Sequence, residues 1–135
     1  MAPRRGPADA VVEWAGAIDT VTSTGRYFRT VIVSDSPEFI RAAYKWIESE
    51  PGLIFVATAD NGFAALITVN VLRPDLVLMD IAMPGMDSVE ATRRIKARTE
   101  PPAVVLIAQD ERPDIARRAR DVGADAVISL SLIHI

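Results

Sequence analysis

The stretch RPDLVLMDIAMPGMDSVEATRRI, residues 73–95, carries the fold in its punctuation. Arg73-Pro74 stops whatever precedes it, because proline lacks the amide that a helix interior needs. Leu76 to Met79 is a short apolar run ending in Asp80, the pattern of a strand buried on both faces. Met83-Pro84-Gly85-Met86 reads as a loop. Ser88 to Arg98 then reads as a helix, with Val89, Thr92 and Ile95 at helical spacing on its inward side. Strand, loop and amphipathic helix together make half of a βαβ unit.

The alternation continues in both directions. Upstream, Thr30 to Val33 is a strand closed by Ser34, Asp35 and Ser36. Ser36-Pro37 then opens a helix that runs to about Ser49, with Ile40, Ala43 and Ile47 inward, since serine caps a helix and proline suits its first position. Pro51-Gly52 breaks that helix, Leu53 to Thr58 is the next strand, and Asp60-Asn61-Gly62 turns into a helix ending at Leu72. Downstream, Ala103 to Ala108 is a strand. Pro113 to Val122 is a helix with Ile115, Ala119 and Val122 inward, and Ala126 to about Leu132 is a fifth strand. Five apolar strands separated by helices predict an α/β fold with a parallel sheet covered on both faces. Ligands of such folds sit beyond the carboxyl ends of the strands, where Asp35 and Asp80 both fall.

Composition limits the rest. At 135 residues, half of them apolar and 24% charged, the chain can build one domain with a real core. A net charge of −3 argues against a nucleic-acid binder held by phosphate neutralisation. Cysteine is absent and His134 is the one histidine, which excludes thiol chemistry and makes a histidine triad or zinc site a poor reading. No apolar run approaches the roughly 20 residues of a membrane span, and Met1 to Pro7 leads into no signal-peptide core. The expectation is a cytoplasmic domain without direct membrane insertion. Residues 1–29 form an N-terminal arm and a helix over Asp9 to Thr22, and residues 30–135 form the domain proper.

TVIVSDSPEF (residues 30–39), the stretch at 73–95 and GADAVISL (residues 123–130) together resemble the receiver domain of two-component response regulators. The resemblance covers residues 30 to about 132. It implies a flavodoxin-like sheet in the order 2-1-3-4-5. It puts Asp80 at the phosphoacceptor position, Asp35 at a magnesium-binding carboxylate and the Ala82 carbonyl at the backbone magnesium ligand. A histidine kinase is the partner that would supply the phosphoryl group. The chain departs from the family pattern at Ser34, where a second acid closes strand one, at Ile107, read as the serine or threonine position closing strand four, and at Leu130, the family's lysine. Val127 stands at the aromatic switch position. Those losses remove the charge partner and the hydroxyl that an acyl phosphate needs. The favoured expectation is therefore no enzyme activity, no cofactor, a weakened magnesium site and a phosphorylation-independent role. The alternative is a single-domain regulator phosphorylated on Asp80.

Two features point to protein contact instead. A receiver continues past strand five into a fifth helix, whereas only Ser131 to Ile135 remain here, so the expected fold has an extra N-terminal helix and no fifth C-terminal helix. Roughly 400 Å² of bare sheet would cost about 10 kcal/mol. Trp14 and Ile18 of the N-terminal helix are the internal candidates to cover it, and a partner protein the external one. The helix from Asn61 to Leu72 holds no charge, and Phe63, Ala64, Thr68, Val71 and Leu72 are its candidate partner contacts, against the alternative that its outward positions are merely bland. The whole chain is also similar to orphan receivers that associate with bacterial respiratory complex I (NADH:quinone oxidoreductase). That resemblance implies a stable subunit of a large assembly, held at the inner face of the membrane through its protein partner.

Overall fold

The computed structural model describes residues 27–83, 88–108 and 113–129. It contains β1 (Phe28–Val33), α1 (Pro37–Ser49), β2 (Leu53–Ala59), α2 (Gly62–Leu72), β3 (Leu76–Asp80), α3 (Ser88–Lys96), β4 (Ala103–Ala108), α4 (Pro113–Asp121) and β5 (Ala126–Ser129). All strand pairs are parallel and the order is β2-β1-β3-β4-β5. This is the parallel sheet that the sequence pattern predicts, in the flavodoxin-like order that the resemblance to receiver domains implies. β1 starts two residues before Thr30, because Phe28 and Arg29 pair with Leu53 and Ile54. α3 stops at Lys96, two residues before Arg98.

Alternation along the strands splits the core in two. Val31, Val33, Val77, Met79, Val104 and Leu106 point to the face that α2, α3 and α4 cover. Ile32, Leu76, Leu78, Val105 and Ile107 point to the other face, where Phe39, Ala43 and Ile47 of α1 pack. The inner face of α1 is thus set by Phe39, Ala42, Ala43 and Ile47, with Ile40 half-buried at its margin. Ser36 caps α1 by accepting from the Phe39 amide at 3.3 Å, with Pro37 in the first turn. Trp14 and Ile18, and the question of what lies beyond β5, fall outside the described residues.

α2 is capped by Asn61, whose Oδ1 accepts from the Ala64 amide at 2.8 Å, and it ends at Arg73 in the left-handed conformation. Its buried residues are Gly62, Ala65 and Val69. Small side chains on the inner face let a helix lie close to the sheet, which turns the bulkier residues outward. α3 follows the ordinary rule: Val89, Ala91, Thr92 and Ile95 are buried, while Arg93 and Arg94 lie outside near Glu90, with Arg93 Nη2 2.6 Å from Glu90 Oε1. No described helix is long and apolar enough to cross a membrane.

Candidate functional site

β1 and β3 are neighbours; Ser34 and Asp35 follow the last residue of β1 and Asp80 ends β3, which brings all three to the carboxyl edge of the sheet. Asp80 is closed in. It is 2% exposed, and both of its carboxylate oxygens accept hydrogen bonds. Ser34 Oγ donates to Oδ2 at 2.8 Å and the Ala82 amide donates to Oδ1 at 3.0 Å. Ser34 Oγ itself accepts from the Ser36 amide at 3.0 Å, so one hydroxyl links the start of α1 to the end of β3. On the backbone side, Ser88 Oγ donates to the Asp80 carbonyl at 2.7 Å and ties α3 to the same point.

Burial pushes the Asp80 carboxyl above its ordinary value of 3.8, the Ala82 and Ser34 hydrogen bonds pull it down, and the nearby Asp35 charge adds to the rise. Among the described residues, none of the groups that act on Asp80 is a cation. Asp35, by contrast, is exposed. It borders an open cleft of about 560 Å³ together with Ser34, Ile40, Arg41, Tyr44 and Asp60, and Asp80 does not line that cleft.

The remaining positions fall as follows. Ile107 pairs in register with Asp80, is fully buried, and packs with Ile32, Leu78 and Ile128. It is a core residue, and the position that closes β4 is Ala108. Neither side chain carries a hydroxyl. Leu130 lies outside the described residues. Lys96 is committed at the opposite end of the sheet, where its Nζ donates to the Pro102 carbonyl and to Asp125 Oδ2, each at 2.9 Å. The other lysine, Lys45, is exposed on α1.

These donors do not fit a productive magnesium site. Magnesium takes one or two carboxylates and demands near-octahedral oxygen geometry. Asp35 is exposed, but the Asp80 oxygens already hold donors in a buried site. No group of three His, Cys, Asp or Glu side chains among the described residues could hold a metal.

Residues 30–130 match the family model of the response regulator receiver domain. The chain belongs to that family. The signal receiver domain of the response regulator NarL from Mycobacterium tuberculosis superposes with a TM-score of 0.73 at 27% identity, over 81% of this chain and 91% of that one. The response regulator domain of Thermotoga maritima CheB superposes with a TM-score of 0.70 at 28% identity, over 77% of this chain and 78% of that one. In sequence, a protein-glutamate methylesterase/protein-glutamine glutaminase of Natronomonas pharaonis is 38% identical over 94 residues, 69% of this chain. The receiver spans 26% of that relative's length, and less than a third of the other curated relatives it matches.

Two features of this receiver escape sequence reasoning. Ser34 is legible as a departure from the family, but its bond to a carboxylate 46 residues away is not. Phe63 and Val71 are exposed on α2 as the candidate contact surface requires, and Ile67 between them, 65% exposed, completes the stripe. Ala64, Thr68 and Leu72 are half-buried beside it. Of the four exposed positions of α2, Phe63, Ile67 and Val71 are large and apolar, and Asn70 is polar.

Proposed function

We propose that this receiver domain acts as a protein–protein interaction module independent of phosphorylation at Asp80. One observation carries the reading: the Asp80 carboxylate is buried with both oxygens held by donors. A phosphoacceptor must present a free oxygen in line with the departing group of its donor, and then needs cations to offset about two new negative charges. Each Asp80 oxygen already holds a donor, the side chain is 2% exposed, and no described cation acts on it. Its bonds to Ser34 and Ala82 serve instead to hold the edge of the sheet in one state. No catalytic role is proposed for Asp35 or Asp80.

The partner proposed is a protein, in an assembly of the respiratory complex I kind, with the domain held at the cytoplasmic side of the membrane through it. The whole-chain resemblance to orphan receivers supports this. The second reading, a regulator phosphorylated by a histidine kinase, is favoured by one feature: Asp35 stands exposed beside the phosphoacceptor position.

Affinity capture of tagged protein from native extract with solubilised membranes separates the two. A stoichiometric partner kept by both the wild type and Asp80→Ala is the expected result. A partner kept by the wild type alone, or a kinase as the sole partner, overturns the interaction-module reading.

A further inference from the structure

The outer face of α2 carries a pattern that fits itself. Phe63, Ile67 and Val71 stand four residues apart, which places them on one ridge of the helix, and they are 58%, 65% and 70% exposed. Nothing on the helix between Asp60 and Arg73 is charged, and the two ends differ in sign. Asp60 precedes the amino end and is exposed. Arg73 closes the carboxyl end, also exposed, and the Arg98 guanidinium reaches the same end by donating to Asn70 Oδ1 at 2.7 Å.

We infer that α2 is a self-association surface, on which a second copy of this chain packs its own α2 antiparallel across a two-fold axis beside Ile67. A two-fold contact uses the same patch twice, so residue i meets j and j meets i. Phe63 of one copy then lies against Val71 of the other, and Ile67 against Ile67. The acidic end of each helix approaches the cationic end of its mate, and the opposed helix dipoles favour the same orientation. A uniformly charged flank, or a charge within the stripe, would oppose such a pairing, and the helix has neither. Three side chains fall short of the ~800 Å² per partner of a standard interface, so the pair is weak, with dissociation in the micromolar range or above. The inference stands whichever reading of the Asp80 carboxylate holds.

Sedimentation velocity on the full chain, from about 10 µM to about 1 mM, reads the pairing at the concentrations a weak dimer requires. The wild type is expected to pass from monomer to dimer over that range. Ile67→Glu and Ile67→Lys, each alone, are expected to weaken dimerisation at least tenfold, because like charges meet at the axis. An equimolar mixture of the two variants is expected to recover a heterodimer. Circular dichroism of each variant confirms that the fold is kept, as exposure of Ile67 predicts. A wild type that stays monomeric at the highest concentration overturns the inference. So does dimerisation untouched by either variant, or a mixture that recovers nothing. Loss from the Ile67 variants of a different co-purifying protein, with the wild type monomeric, assigns the surface to that protein and equally overturns self-pairing.

Discussion

Asp80 and the α2 ridge reverse the usual arrangement of polar and apolar groups. The carboxylate expected to meet solvent and a phosphodonor is 2% exposed, while Phe63, Ile67 and Val71, which would ordinarily be core, are each more than half exposed. A buried charge is tolerated when hydrogen bonds replace water, which Ser34 and Ala82 do here. An exposed apolar ridge gains no such compensation from its own chain. The buried carboxylate at the polar end of the sheet is thus compensated by hydrogen bonds, whereas among the described residues the α2 ridge is left exposed.

The sharpest way to break this comparison is Ser34→Asp, which restores the acid that the family carries there. It removes the hydroxyl donor and places a second carboxylate against a buried one. The expected loss is about 3 kcal/mol of stability without divalent cation, with partial recovery on adding magnesium, read by chemical denaturation with and without the ion. A smaller effect is expected for Ser34→Ala, which leaves one Asp80 oxygen without its donor and costs about 2 kcal/mol.

Asp80→Asn changes the sign. Because burial raises the Asp80 pKa in the folded state, the folded protein binds a proton more readily than the unfolded chain. Stability contributed by Asp80 is then greatest when it is protonated, and is lost as pH climbs from about 4 through the raised value. Asp80→Asn is expected to melt higher than the wild type at pH 7, and the gain should vanish below about pH 4. Equal melting temperatures at both pH values would contradict the buried-charge account. Least of all, Ile67→Glu should leave the melting temperature of the dilute monomer unchanged, since the side chain is 65% exposed, even as it abolishes association.

The sheet was legible from apolar runs and their stops, and so was the placing of Asp35 and Asp80 at strand ends. Two kinds of feature were not. The first is helix phase where periodicity fails. α1 buries Ala43 and Ile47 as read, but Phe39 and Ala42 join them and Ile40 is left half-buried, because Phe39 offers the larger apolar surface to bury. α2 is apolar on every side, so its sequence holds no phase at all, and close approach to the sheet selects Gly62, Ala65 and Val69 for the inner face. The second is pairing at long range. Ser34 looks like a lost magnesium ligand until the parallel pairing of β1 with β3 sets its hydroxyl against Asp80. The hold of Pro102 and Asp125 on Lys96 at the far end of the sheet is likewise invisible in the sequence.

The central claim is that Asp80 is a structural carboxylate rather than a phosphoacceptor. Incubation of the native protein with acetyl phosphate and magnesium, followed by intact-mass spectrometry beside a phosphorylatable receiver as control, tests it directly. The account predicts an unchanged mass while the control gains one phosphoryl group. A phosphoryl adduct that appears on the wild type and disappears in Asp80→Asn would contradict it.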